Sequence, residues 1–492
     1  MSEKTWSTFQ NRIFTFGTDE TGNAVVIAVA GSGKTTTMVE LMKRVNGSKI
    51  FLAFNKKNAE DLASRGVNGK TFHSVCYSPV TRARKARNVD ANKMYTVIND
   101  RLGDEEARIY GPFLQRLVGL GKNAGIGALV DDSEQEWLDL VNHHGLEIEN
   151  ERGTVAQGVK YASVMLQASN ASPLLDFDDL LYLAVKDGIS LPKFDFIVVD
   201  EAQDTNVIQR AVIRKMMHDK TRLVAVGDPA QAIYGFRGAD SQAIYSIKEE
   251  FNAIELPLTV SYRCPKAVVR HAQRWVSHIQ ANDGAAEGSV TSLEKFSAET
   301  FQPQDMVVCR TTAPVVRLAF KLLQKHIPAT VLGRDIGAGL KSLVNRMKAK
   351  GIPALENKIN EWRVREIEKA NAKRQEAAAE AIADKADAVL FLIDSLPETT
   401  RTVPALLALI DNLFADKANA VVLCTIHKSK GAEARRVFWL NSSKMPAKWA
   451  KQEWEQEQER NLCYVATTRA MEDLILIEDS GYTDASSKPQ EK

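Results

Sequence analysis

The run NAVVIAVAGSGKTTTMVELMKRV, Asn23 to Val45, passes from an almost unbroken apolar stretch through a glycine turn into a segment with helically spaced apolar residues. A strand buried on both faces reads as a continuous hydrophobic run, and a helix follows it where the spacing lengthens to three or four. That order, strand to tight turn to helix, opens a parallel α/β sheet. KIFLAF (Lys49–Phe54), FDFIVVD (Phe194–Asp200), RLVAVGD (Arg222–Asp228) and AIELPLTV (Ala253–Val260) repeat the buried-strand pattern. A second set follows in DMVVCR, ATVLG, AVVLCTIH, RRVFWL and DLILIE, between Asp305 and Glu478. The expected fold is α/β, with two parallel-sheet cores in tandem. Each core is interrupted by a mostly helical stretch, residues 77–172 and 336–417, in which no buried-strand run occurs. Within the second, Glu356 to Val389 is rich in Ala, Glu and Lys, with pairs such as Glu361 and Arg365 at i,i+4, and reads as one long charged helix, a solvated arm or partly packed hairpin rather than a binding element. The final residues, 479–492, read as a disordered tail.

The whole-chain numbers agree with this class. A chain of 492 residues exceeds what one core supports, and 44% hydrophobic with 26% charged residues is a globular balance. The formal net charge is only +2, so a polyanion would have to be met by local arrangement. Cys76, Cys264, Cys309, Cys424 and Cys463 stand far apart, which points to a reducing compartment with neither a disulfide framework nor a zinc site. The polar start, MSEKTWSTFQ, and the lack of any membrane-spanning run lead us to expect a cytoplasmic protein with no membrane partner.

Two segments carry chemistry. In AVAGSGKTTT, the turn Ala30, Gly31, Ser32 and Gly33 precedes Lys34, Thr35 and Thr36 at the start of a helix. Backbone N–H groups and a helix N-terminus there face an anion; Lys34 would reach the β- and γ-phosphates and the Thr35 hydroxyl would hold Mg2+. FDFIVVDEAQD supplies an acid at the end of a buried strand, with Asp200 binding Mg2+ through water and Glu201 acting as general base on the attacking water. The combination predicts a nucleoside triphosphatase. The basic run RARKAR, Arg82 to Arg87, reads as a solvated helix face.

From these segments outward the chain resembles the UvrD/Rep-like superfamily 1 helicases, in motif order along nearly its whole length. The phosphate loop has that family's AxxGxGKT form, with Ala28 first. Gln10 resembles the glutamine that reads adenine. FLAFNKKNAE and KTFHSVC resemble two strand-gripping motifs, in which Phe54 offers a stacking face and Thr71 and His73 contact phosphates. GDPAQAIYGFRGAD (Gly227–Asp240) resembles the third motif: Gln231 senses the γ-phosphate, Tyr234 and Phe236 stack on bases, and Arg237 supports the nucleotide or the strand. Phe236 stands where the family usually has tryptophan, which implies a smaller platform. LPLTVSYRCPKAVV places Tyr262 on adenine and Arg263 at the γ-phosphate, with Ser261 where many relatives have asparagine. TIHKSKGAEARRVFWL brings Thr425 and His427 to the strand and Glu433 to the nucleotide side, and QERNLCYVATTRAMEDLILI brings Arg469 as the second γ-phosphate arginine.

The resemblance implies two RecA-like motor domains with ATP and Mg2+ between them: residues 1–76 with 173–263, and 264–335 with 418–478. It implies stepping 3′ to 5′ on single-stranded DNA and activity at single-strand/duplex junctions. RNA is a further candidate, because a stacking face does not read the sugar. The inserts match least; Trp449 and Trp454 lie where a strand-separating pin would be sought, and no pin is assigned. An alternative is a nucleic-acid-stimulated ATPase that serves as sensor or regulatory subunit of a larger complex, without processive unwinding.

Overall fold

Successive side chains of a strand point to opposite faces, so a run apolar throughout must be covered on both sides. Residues Asn23 to Leu258 meet that requirement with one six-stranded sheet. Its members are β1 (Asn23–Ala28), β2 (Lys49–Ala53), β3 (Gly69–Thr71), β4 (Phe196–Val199), β5 (Arg222–Gly227) and β6 (Ala253–Leu258). They are ordered β3-β2-β4-β5-β1-β6, and every pairing is parallel. Ala24, Val26 and Ala28 join one core with Phe51, Val198 and Val224, while Val25 joins another with Ile50, Ile197 and Leu223. The structure is a computed structural model that describes residues 5–86, 88–148, 150, 152–233, 242–372 and 375–478. The chain divides into two units, Met1–Thr259 and Val260–Lys492.

Between β3 and β4 of the first unit the chain is helical, in segments Phe72–Arg84, Lys93–Arg101, Asp104–Ala124, Glu134–His144, Val155–Ala171 and Phe177–Lys186. Their apolar faces do not form a core of their own. Leu114, Leu117, Trp137 and Met165 belong to the same buried cluster as Val25, Ile50 and Ile197 of the sheet. Each such fully buried side chain contributes about 1.5–3 kcal/mol, so the insert and the sheet stabilise one another.

In the second unit, β7 (Val260–Ser261) pairs with β8 (Gln280–Ala281). A second parallel sheet contains β9 (Ser289–Leu293), β10 (Met306–Cys309), β11 (Ala329–Val331), β12 (Val421–Thr425), β13 (Ala434–Leu440) and β14 (Ala470–Ile477). Its order is β11-β12-β10-β13-β14-β9. The expected α/β class with two parallel sheets is the class observed. The division at Thr259 and Val260 puts Tyr262 and Arg263 in the second unit, four positions ahead of the expected start at 264.

One expectation is overturned. The segment from Glu356 to Val389 is not a single helix: Ile352–Ala372 and Glu376–Asp394 are separate helices packed against each other. Leu355, Ile359 and Trp362 on the first share a buried cluster with Ala386, Val389 and Ile393 on the second. An uninterrupted helix would hold these two apolar stripes far apart along its axis and leave them in water, so folding back wins. Among the described residues no helix is long and apolar enough to cross a membrane.

Candidate active site and nucleic-acid surface

In a parallel sheet all strands end on the same edge, and ligands bind outside the carboxyl ends. Along that edge of the first sheet, the neighbours β1, β5 and β4 end respectively at the glycine turn, at Asp228 and at Asp200. The turn owes its shape to Gly31 and Gly33, at φ +70° and +75°, a left-handed region in which a Cβ is strained. Helix Lys34–Arg44 starts on Gly33 with no side-chain cap, so its first N–H groups are free for an anion. Ser32 is buried beside Ala30, and its hydroxyl has no partner. A buried unsatisfied hydroxyl in a ring of N–H groups fits a phosphate oxygen. Thr36 is half-buried on the first turn.

Gln10 lies alongside: a Cβ on Gly33 would sit 3.7 Å from its amide nitrogen. Both ends of that amide are engaged within the chain, Oε1 accepting from the Ser7 N–H at 3.0 Å and Nε2 donating to the Thr37 hydroxyl at 2.9 Å. Reading adenine would exchange those bonds.

The acids are buried and close to the loop. The Thr35 hydroxyl donates to Asp200 Oδ2 at 3.1 Å. Burial pushes Asp200 up to about 6, the Glu201 charge adds to this, and the Lys34 cation opposes it. Burial likewise raises Asp228, again opposed by Lys34 and by a hydrogen bond from Gln231 Nε2 to Asp228 Oδ2 at 2.6 Å. Lys34 therefore faces both acids. Glu201 occupies the left-handed region at φ +50°, and its carboxylate accepts a hydrogen bond from Gln203 Nε2 at 2.6 Å. Among the described residues no group of three or more His, Cys, Asp or Glu could hold a metal. Thr35 and Asp200 fit a hard cation that takes its remaining ligands from water and phosphate, which is how Mg2+ is usually held.

The second unit gathers its expected nucleotide residues at the amino ends of β13 and β14. Arg263 Nε donates to Glu433 Oε2 at 2.5 Å, and its Nη1 reaches the Thr468 carbonyl at 3.4 Å. Arg469 is almost wholly buried, donating to the carbonyls of Val465 at 2.9 Å and Ala432 at 3.1 Å and to the Thr468 hydroxyl at 3.2 Å. Tyr262 beside them is 47% exposed, an open ring face.

The residues expected to contact nucleic acid fall elsewhere in each sheet. Phe54, 48% exposed, follows β2, and Thr71 ends β3. The Thr71 hydroxyl accepts from the Ser74 N–H at 3.2 Å and so also caps a helix. Burial lowers the pKa of His73, which keeps the ring neutral near pH 7 and makes it a hydrogen-bonding group rather than a cation. Thr425 ends β12 and His427 follows it, and both line a cavity of about 460 Å³ with Arg310, Thr312, Asp335 and Lys385. In this sheet the carboxyl ends of β10 and β12 lie on the edge opposite the amino ends of β13 and β14. Tyr234, Phe236 and Arg237 lie outside the described residues, as do 479–492.

Three groups escaped the sequence reading. Phe177, the first residue of its helix, is 59% exposed and meets His73 edge-on with ring centroids 6.3 Å apart. Its signal was an aromatic out of phase with the buried face Leu180–Ala184 and enclosed by the Asp176/Asp179 capping box. Arg310 pairs with buried Glu459 at 2.8 Å and lies 5.6 Å from the Trp449 ring. Gln203, in the DEAQD segment, is fully buried. Of RARKAR, Arg84 is a structural residue: it pairs with Asp187 at 2.5 Å and donates to the Asn170 carbonyl at 2.8 Å. Trp449 donates to Glu380 Oε2 at 2.8 Å, and Trp454 to Gln452 Oε1 at 2.6 Å.

Comparison with known proteins gives the same pattern on both units. Residues 6–252 match the UvrD/REP helicase N-terminal domain, and residues 364–481 match the UvrD-like helicase C-terminal domain. The chain is 27% identical over 292 residues to a DNA helicase II homolog of Mycoplasma genitalium, covering 53% of this chain and 41% of that protein. It is 25% identical over 369 residues to the ATP-dependent DNA helicase PcrA of Staphylococcus epidermidis, covering 63% and 49%. With the F-box DNA helicase protein 1 of Schizosaccharomyces pombe it shares 26% over 493 residues, covering 92% and 55%. The chain thus spans about half the length of these curated relatives.

Proposed function

The chain belongs to the UvrD/REP helicase family, and from that premise we propose that it is an ATP-dependent DNA translocase and helicase moving 3′ to 5′ along single-stranded DNA. The observation that carries the reading is the order of groups along one sheet edge. β1, β5 and β4 present the phosphate loop and the acids, and the adjoining β2 and β3 present Phe54 and Thr71. That order supports a reading in which chemistry and strand contact are neighbours on one sheet edge.

In this reading Lys34 and the free N–H groups of helix Lys34–Arg44 hold the phosphates of ATP. Thr35, and Asp200 through water, would hold Mg2+, which would supply charge neutralisation for the phosphates when bound. Glu201 accepts a proton from the attacking water, Gln231 senses the γ-phosphate, and Arg263 and Arg469 stabilise the charge that develops there. Tyr262 stacks on adenine. Phe54 and Phe177 stack on bases without reading them, which suits a protein that must travel.

Stacking is worth about 1–3 kcal/mol per base, so Phe54→Ala and Phe177→Ala are each expected to weaken oligonucleotide binding by roughly 5- to 150-fold. Fluorescence anisotropy with a labelled single strand measures this, and ATP affinity in the absence of DNA should be unchanged. The polarity is tested with 3′- and 5′-tailed duplexes and ATP. Displacement only from the 3′-tailed substrate is the expected result, and displacement only from the 5′-tailed one would overturn the direction. Strand-stimulated ATP turnover with no displacement from either substrate would point instead to a nucleic-acid-sensing ATPase.

A further inference from the structure

Three carboxylates border the cavity that Thr425 and His427 line, and each is already engaged within the second unit. Asp335 Oδ2 accepts from Lys428 Nζ at 2.7 Å, and Glu380 Oε2 accepts from Trp449 Nε1 at 2.8 Å. Asp384 accepts the backbone N–H groups of Thr312 and Ala313, both at 2.7 Å. Arg310, which lines the same cavity, is different. Its Nε donates to Glu459 Oε1 at 2.8 Å, but among the described residues neither of its Nη groups has a partner. A guanidinium carries five N–H donors in a fixed fork, so the edge left over can meet an anion with two parallel bonds.

That fork is held in place from two sides. Glu459 is almost wholly buried, and its second oxygen accepts the Ala447 N–H at 3.1 Å, so the carboxylate is bonded through both oxygens and keeps one direction. The Trp449 ring lies over the guanidinium, 5.6 Å from its carbon, and is itself tied down by the bond to Glu380. The ordering of a long side chain, which usually weakens a contact, is thereby complete before a ligand arrives. The position of Arg310 says which anion that is. It follows β10 at the carboxyl ends of the strands, whereas Glu433 and Arg469 stand at the amino ends of β13 and β14 on the opposite edge. A phosphate met here therefore belongs to a strand rather than to the nucleotide.

We propose that Arg310 takes a phosphate of the single strand through its two Nη groups, and that Glu459 and Trp449 are positioning residues that fix this fork before the strand arrives. This rests on the reading of Thr425 and His427 as strand contacts. Glu459 and Trp449 act through Arg310.

The test uses the full chain and a labelled single-stranded DNA oligonucleotide, with affinity measured by fluorescence anisotropy over a range of salt. Arg310→Ala is expected to weaken binding by about 10- to 150-fold, the worth of a hydrogen-bonded contact between charged groups. The dependence of log affinity on log salt should become shallower by about 0.7, the share of one phosphate on a single strand. Glu459→Asp keeps the charge and draws the carboxylate back by one methylene, and Trp449→Ala keeps every charge. Each should weaken binding by at least about threefold with the salt slope unchanged, and neither should weaken it further in the Arg310→Ala background. Losses that add in full in the double variants mean a structural role for Glu459 and Trp449 and overturn the proposal. Affinity within about twofold of wild type for Arg310→Ala, or an unchanged salt slope, overturns it too. If Glu459→Asp does not fold, Trp449→Ala reads the same cycle. Thr425→Val and His427→Ala are run beside them: wild-type affinity in both would refute the strand reading of this cavity, whereas a loss there with none in Arg310→Ala refutes the role of Arg310 alone.

Discussion

Arg263→Ala is expected to lower ATP turnover by about 10³- to 10⁵-fold, the usual worth of an arginine placed at a γ-phosphate. That corresponds to roughly 4–7 kcal/mol of transition-state stabilisation. The loss should fall on kcat, because in the proposed mechanism the arginine meets charge that develops only during transfer, and nucleotide affinity should change by less than about tenfold. The fold should not suffer. Arg263 and its partner Glu433 are 20% and 45% exposed, and a partly solvated pair of this kind contributes about 1 kcal/mol. Arg469 offers a less clean experiment. Its guanidinium is buried and donates to the Val465 and Ala432 carbonyls, so truncation would also leave buried acceptors unpaired. Glu433→Gln separates orientation from charge: Arg263 stays, its 2.5 Å partner loses its charge, and a smaller fall in kcat is expected. A kcat within tenfold of wild type for Arg263→Ala would remove that residue from the transition state.

What the sequence disclosed and what it hid divide along physical lines. Val25, Val26, Val198 and Val224 announce buried parallel strands because burial on both faces admits little else, and the glycine turn is legible because few residues tolerate φ near +70°. β9 went unseen because SVTSL is half polar, as an edge strand with one neighbour can be. The two helices between Ile352 and Asp394 looked like one because Ala, Glu and Lys favour helix everywhere and only the pairing of Trp362 with the Val389 face forces a reversal. Phe177 lay within DFDD, a run that reads first as a helix cap. Gln203 sits next to recognised acids, yet its bond to the Asp228 N–H depends on β4 and β5 being neighbours, which no local pattern encodes. The lysines of the first insert are the extreme case. Lysine ordinarily keeps its ammonium in water, yet Lys93 and Lys122 are both fully buried.

Those two lysines support the second large effect. Lys93 Nζ lies 2.5 Å from Asp179 Oδ2, and Lys122 Nζ lies 2.8 Å from both Asp179 Oδ1 and Asp176 Oδ2. The cluster ties helices Lys93–Arg101 and Asp104–Ala124 to the start of Phe177–Lys186, which carries the exposed Phe177. The two aspartates hold Lys122 above the usual lysine value, and the two lysines hold Asp179 below the usual carboxylate range. Lys122→Met removes one cation and leaves two buried carboxylates sharing Lys93. Breaking a buried pair from one side costs about 3–5 kcal/mol, roughly 150- to 5,000-fold in the unfolding equilibrium. Denaturant or thermal unfolding should show that loss in the transition of the first unit. Adding Asp176→Asn should recover about 1 kcal/mol or more, since asparagine still caps the helix through the Asp179 N–H while neutrality returns. The pH dependence follows from Asp179. Its folded value is depressed, so its contribution is complete above the ordinary carboxylate pKa and is lost as pH falls through the folded one. Wild type should therefore lose stability in acid more steeply than the double variant. Oligonucleotide affinity should fall in Lys122→Met before ATP affinity does, because the cluster supports Phe177 while the phosphate loop is anchored on β1.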